Sequence, residues 1–125
     1  MHPVPRSRIL VVDDDVQICA MLERALRHPG YDVVVHHEPL AAAREIVRRL
    51  PDLLIVDLML PGMSGAELVE SVSRSMGDKT PPALLITGAP ERLRDEDRAL
   101  FARVFTKPFR IKELLEAVRS ALGEG

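Results

Sequence analysis

The chain switches hydrophobic rhythm five times, and this alternation restricts its fold more than any other feature. Short runs rich in β-branched and apolar residues at 8–12, 32–36, 53–56, 83–87 and 103–106 are each followed by a segment with another pattern, most with helical spacing. Repeated strand-then-helix units build an α/β domain around a parallel sheet. Most of the runs are continuously apolar, as in Leu53-Leu54-Ile55-Val56, so the predicted strands are buried on both faces and covered by helices on each side.

The helical segments carry their own start and stop signals. Residues 16–27 place Ile18, Leu22, Ala25 and Leu26 on one face and end before Pro29-Gly30. A second helix begins at Pro39, a favourable first position, and is predicted to run through Ile46, Val47 and Leu50. A third opens at Ser64-Gly65-Ala66-Glu67, where the serine hydroxyl and the glutamate can cap each other's backbone amides, although its apolar face reads as thin. The last, 111–122, repeats Ile111, Leu114, Leu115, Val118 and Leu122 at helical spacing. Residues 91–101 leave only Leu93, Ala99, Leu100 and Phe101 for packing among many charges, which predicts a short or mobile fourth helix.

A length of 125 residues and 46% hydrophobic composition suit one domain with a single core. The 17 basic and 19 acidic side chains nearly cancel, giving a net charge of −2, so no basic surface for nucleic acid is expected. The longest apolar stretch, 18–22, is too short to cross a membrane, and the first residues lack the apolar core of a signal peptide, which predicts a cytoplasmic chain. The lone Cys19 lies in a helical apolar pattern and reads as a buried structural thiol.

In an open parallel sheet, ligands bind beyond the carboxyl ends of the strands. Those ends are unusually polar here: Asp13-Asp14-Asp15 after the first strand, Asp57 after the third, Thr87 at the fourth, and Thr106-Lys107-Pro108 at the fifth. Side by side, the strands would bring at least three carboxylates, a hydroxyl and an ammonium to one crevice. Crowded carboxylates repel until a proton or a cation relieves them. A hard divalent ion such as Mg²⁺ is the better solution, since oxygen ligands suit its octahedral demand. The lysine and threonine then remain to neutralise and hydrogen-bond an incoming anion, a set of parts suited to phosphoryl transfer.

Four motifs in register now resemble one family along residues 9–122: Ile9-Leu10-Val11-Val12-Asp13-Asp14, Asp57-Leu58-Met59-Leu60-Pro61-Gly62-Met63-Ser64-Gly65, Leu85-Ile86-Thr87-Gly88 and Thr106-Lys107-Pro108-Phe109. The sequence is similar to the receiver domains of response regulators in two-component signalling. That resemblance implies a single (βα)5 flavodoxin-like, doubly wound sheet of order 2-1-3-4-5, here over residues 8–122, with 1–7 as an N-terminal extension and 123–125 as a tail. It further implies that Asp57 accepts a phosphoryl group from a histidine kinase or phosphotransfer protein, and that the domain then controls a downstream protein or output domain. Asp13, Asp14, Asp57 and the backbone carbonyl of Met59 resemble the ligands of Mg²⁺, with Mn²⁺ as a substitute. Thr87 and Lys107 resemble the groups that grip the phosphoryl oxygens, and the Lys107–Pro108 bond is expected to be cis.

Plainer readings account for several of the remaining residues. Asp15 is expected to cap the first helix. His2, His28, His36 and His37 show no metal-ligand spacing and read as surface residues. Pro61-Gly62 and Gly65 read as turn residues that curl the loop after Asp57 around the site. A haloacid-dehalogenase-type phosphatase would also use a strand-end aspartate, lysine, threonine and Mg²⁺, but Gln17 departs from that family's opening motif and the chain is short for it. A receiver that binds partners without phosphorylation is a further alternative, opposed by retention of all five site residues. Within the resembled family, Val104 stands where many members carry a switch aromatic, and Phe105 lies one place late. Met59 and Ala89 occupy positions that tune the lifetime of the aspartyl phosphate.

Overall fold

The computed structural model describes residues 6–124, so residues 1–5 of the expected extension and Gly125 of the expected tail lie outside the described residues. Strands β1 (Arg8–Val12), β2 (Asp32–His36), β3 (Leu53–Asp57), β4 (Ala83–Thr87) and β5 (Arg103–Thr106) form one parallel sheet in the order β2-β1-β3-β4-β5. Helices α1 (Val16–Arg27), α2 (Pro39–Arg48), α3 (Gly65–Met76) and α4 (Ile111–Ala121) cover it. Each strand sends alternate residues to opposite faces, and the two faces make separate cores. Leu10, Val12, Leu54, Val56 and Leu85 pack with Ala42 and Ile46 of α2 and Leu68, Val69 and Val72 of α3. Ile9, Val11, Leu53, Ile55, Leu84 and Ile86 pack with Leu22 and Leu26 of α1 and Leu114 and Val118 of α4. The architecture is a doubly wound, flavodoxin-like α/β sheet, as the strand pattern implied.

Burial follows position in the sheet. The central strands β1, β3 and β4 are wholly buried, whereas the edge strands β2 and β5 are only partly covered, because an edge has one neighbour instead of two. β3 runs one residue further than predicted, so Asp57 is itself in the ladder opposite Ile86.

Three helical expectations need correction. α2 stops at Arg48, short of Leu50; Arg49 is extended, and Leu50 precedes Pro51, a position that disfavours helical backbone. Its buried face is Pro39, Ala42 and Ile46, so Val47 points to solvent at 73% exposure. The face of α3 is not thin: Gly65, Ala66, Leu68, Val69 and Val72 are all buried, the small residues letting the helix lie close to the sheet. Between β4 and β5 no α-helix forms. Two 3-10 turns, Pro90–Arg92 and Asp95–Leu100, make the crossover, anchored by buried Leu93 and Phe101 and by Asp97, which accepts hydrogen bonds from Arg94 at 2.9 and 3.3 Å. The segment has too few apolar residues at helical spacing to bury a full helical stripe.

Other local expectations hold. Asp15 caps α1 by accepting from the Gln17 and Ile18 amides, and Ser64 and Glu67 form the reciprocal capping box of α3. Glu124 accepts from Tyr31 at 2.7 Å and from Ser7 at 3.3 Å, tying the end of the chain to the start of the sheet. No helix among the described residues is long and apolar enough to cross a membrane.

Candidate functional site

The carboxyl ends of β1, β3, β4 and β5 meet in one crevice because the strand order places them side by side. Asp13 continues β1 by donating its amide to the His36 carbonyl at 3.2 Å, and its carboxylate is fully buried. Asp57 ends β3 at 6% exposure, while Asp14 is exposed. Carboxylate oxygens of Asp13, Asp14 and Asp57 lie within 4.8 Å of one another, a donor set able to hold one hard divalent cation.

Lys107 crosses from the end of β5 to neutralise the cluster. Its Nζ donates to Asp13 Oδ2 at 3.0 Å and to Asp57 Oδ2 at 3.2 Å. Burial alone would lower the lysine pKa, but the two carboxylates outweigh it and hold the ammonium above its ordinary range. Asp13 moves the other way from an ordinary carboxylate. Burial raises its pKa to about 6, against the opposing hydrogen bonds from the Asp15 amide and Lys107, and the charge of Asp57 adds to the rise. The cluster thus carries more negative charge than one lysine relieves, which fits a site for a cation.

Thr87 is fully buried at the end of β4, and its hydroxyl oxygen accepts from the Ala89 amide at 2.9 Å. Its carbonyl accepts the Lys107 amide at 2.8 Å, which couples β4 to the lysine loop, where the Lys107–Pro108 bond is cis. The Met59 amide donates to Asp57 Oδ1 at 3.4 Å, and Met59 is 47% exposed. Val104 is half-buried on the α2/α3 side of the sheet. Phe105 faces the other way, buried in the α1/α4 core, with its ring 6.2 Å from that of Phe109 and the Arg103 guanidinium 4.7 Å from its centroid.

Three features of the site escaped the sequence reading. Gly65 begins α3, as the capping box implied, and does not serve the preceding loop as a turn residue; the close approach it permits was not foreseen, since a Cβ there would stand 2.2 Å from the Asp57 carbonyl oxygen. Only Gly62 in this loop has a positive φ, of 80°. The Asp13 carbonyl accepts from two side chains, Cys19 Sγ at 3.2 Å and His37 Nδ1 at 3.0 Å. Cys19 is buried as expected, and burial lifts its thiol to a pKa of about 11. His37 follows the last residue of β2, so its nearness to Asp13 could be read from sequence only once β2 was known to lie beside β1.

Comparison with known proteins gives one answer. Residues 9–119 match the profile of the response regulator receiver domain. The chain is 36% identical over 118 residues to the response regulator MprA of Mycobacterium ulcerans, covering 92% of this chain and 50% of that protein, so it spans about half the length of the curated relatives it matches. Among solved structures, the response regulator TrrA of Thermotoga maritima in complex with Mg²⁺ and beryllofluoride superposes with a TM-score of 0.84 at 28% identity, over 93% of this chain and 99% of that one. The chemotaxis response regulator CheY4 of Vibrio cholerae gives a TM-score of 0.83 at 27% identity, over 94% and 100%. Nothing in these comparisons favours the phosphatase or the phosphorylation-independent alternative. With its sheet order, its acidic strand ends and its profile match in agreement, the chain belongs to the response regulator receiver domain family, the phosphoacceptor domains of two-component signalling.

Proposed function

We propose that Asp57 is the phosphoacceptor, that Asp13, Asp14, Asp57 and the Met59 carbonyl hold Mg²⁺ or Mn²⁺, and that Thr87 and Lys107 bind the phosphoryl oxygens. The observation that carries this reading is the position of Lys107 Nζ, which bridges Asp13 and Asp57 beside the exposed Asp14. A carboxylate oxygen of Asp57 attacks the phosphorus of a phosphohistidine on a kinase or phosphotransfer protein; the new O–P bond forms as the N–P bond breaks, and the imidazole nitrogen leaves with the electron pair. A divalent ion, when bound, neutralises the phosphoryl oxygens and lets them approach the acidic cluster. Lys107 exchanges its contact with Asp57 for one with a phosphoryl oxygen. The Thr87 hydroxyl turns from the Ala89 amide toward another.

The receiver unit is taken as residues 8–122, flanked by 1–7 and 123–125, and as acting in the cytoplasm, where its kinase would meet it. Its output is a downstream protein or an attached domain, and the near-neutral charge supports no direct grip on nucleic acid or membrane. Signal transmission differs from the family pattern in that Val104 replaces the switch aromatic. A β-branched side chain with one χ angle cannot sweep a ring between solvent and interior. The movement of Thr87 instead frees the Ala89 amide and passes into the 3-10 crossover. Incubation with acetyl phosphate and Mg²⁺ tests the assignment: intact mass should show one added phosphoryl group on the wild type and none on Asp57→Asn, and labelling of Asp57→Asn to the same extent would overturn it.

A further inference from the structure

We propose that His37 is a positioning residue for the acidic cluster, fixing the peptide that joins Asp13 to Asp14 by donating its Nδ1–H to the Asp13 carbonyl. The proposal rests on the reading of Asp13 and Asp14 as cation ligands and extends it to a residue that touches neither carboxylate.

The β1 ladder ends with Val12, paired to His36 on one side and Val56 on the other, and the Asp13 amide adds one last bond to the His36 carbonyl. The chain then turns toward Asp15, the cap of α1. The Asp13 carbonyl therefore has lost its strand partner, and it meets two side chains instead: the Cys19 thiol from α1 at 3.2 Å and the His37 ring from the end of β2 at 3.0 Å. A thiol is a weak donor and an imidazole N–H a better one, so His37 dominates the direction of this carbonyl. A carbonyl only accepts, which assigns the ring proton to Nδ1.

That carbonyl belongs to the peptide unit whose other end is the Asp14 nitrogen. Planarity of the unit means that fixing the oxygen also fixes the Asp14 nitrogen and Cα, the atoms from which its side chain departs. Asp13 has further anchors, since its carboxylate accepts from the Asp15 amide at 2.9 Å and from Lys107. Asp14 is exposed and depends on its backbone for placement. The neighbouring histidine is engaged elsewhere, with His36 Nε2 lying 3.4 Å from Glu45, which pairs with Arg8 at 2.6 Å beneath α2. His37 itself is exposed, so its removal leaves the carbonyl with the weaker Cys19 thiol and opens the vacated side to water instead of leaving it unpaired. The fold should scarcely notice; the aim of Asp14 should.

The experiment compares wild type, His37→Ala, His37→Asn and Asp14→Asn at pH 8, with Mg²⁺ titrated and backbone amide NMR shifts giving the dissociation constant. His37→Ala should bind Mg²⁺ about tenfold more weakly, the lower end of what losing a residue that orients a metal ligand costs, with little change in the metal-free melting temperature because the carbonyl keeps the Cys19 thiol and gains water. Its labelling by acetyl phosphate should need correspondingly more Mg²⁺ and reach the wild-type rate at saturation. His37→Asn, whose amide nitrogen branches from Cγ as Nδ1 does, should recover most of the affinity. If Asp14→Asn loses Mg²⁺ binding while His37→Ala retains wild-type affinity, or if His37→Asn is no better than His37→Ala, the positioning role is overturned and the ligand assignment stands. Mg²⁺ binding by Asp14→Asn equal to wild type would overturn both.

Discussion

Replacing Gly65 by alanine isolates the contact that joins α3 to Asp57, the proposed phosphoacceptor. The added Cβ would lie 2.2 Å from the Asp57 carbonyl oxygen, 3.0 Å from its carbon and 3.2 Å from Val56 Cγ2. None of these atoms can swing aside, because two are backbone and the third belongs to a fully buried side chain. The Gly65 amide also donates to the Leu58 carbonyl at 2.9 Å, and the capping box ties the next turn of the helix to Ser64. The helix start and Asp57 must therefore separate by about 1 Å to reach ordinary contact, an overpacking that costs about 1–3 kcal/mol. Reduced freedom of the unfolded chain offsets about 0.4–1 kcal/mol of that. The net expectation is a loss of about 1–2 kcal/mol in urea unfolding with the denaturant slope unchanged. The larger effect should fall on chemistry. A displacement of about 1 Å at the nucleophile can slow a positioned reaction on the order of 100-fold, read as the rate of phosphorylation by acetyl phosphate in intact-mass time courses. A Gly65→Ala protein as stable as wild type, labelled within about twofold of its rate, would refute the close approach as the reason for glycine.

Neither Met59 nor Ala89 offers a hydrogen bond that could orient a water for attack on the aspartyl phosphate, so the double variant Met59→Asn, Ala89→Glu should lose its phosphate faster than wild type; an equal or longer half-life would contradict this. Phe105 is held in the α1/α4 core, so beryllofluoride activation should move the 88–98 backbone and leave this ring in place; an inward swing of the ring with 88–98 unmoved would disprove the route. Asp13 has a folded pKa of about 6, raised from 3.8 chiefly by burial, so the native state binds this proton more tightly than the unfolded chain. The stability it contributes is complete below its unfolded pKa and lost as pH rises through about 6. In chelator, Asp13→Asn should therefore gain on wild type across that window, and unfolding free energies that run parallel with pH would refute the shift.

The sequence alone determined the strands, the parallel sheet and the polar strand ends, because a buried central strand such as Leu53–Asp57 must be continuously apolar and the ligand end of such a sheet must carry whatever is polar. It likewise determined the caps at Asp15 and Ser64, whose bonding partners lie two or three residues away. Helix packing was less legible. Val47 and Leu50 look like core residues by their hydrophobicity, yet the rotation of α2 and the proline at 51 turn them outward. Small residues misled in the opposite sense: Gly65 and Ala66 add little hydrophobicity but set how closely α3 lies on the sheet. Only the tertiary structure decided that Lys107 bridges Asp13 and Asp57, that Gly65 abuts the Asp57 carbonyl, and that His37 meets the backbone of Asp13. The lysine and histidine contacts join residues far apart in the chain, at distances that exist only after the strands have taken their order in the sheet; Gly65 is near Asp57 in sequence, but how closely α3 approaches the end of β3 is set by helix-on-sheet packing, which no local propensity or periodicity encodes.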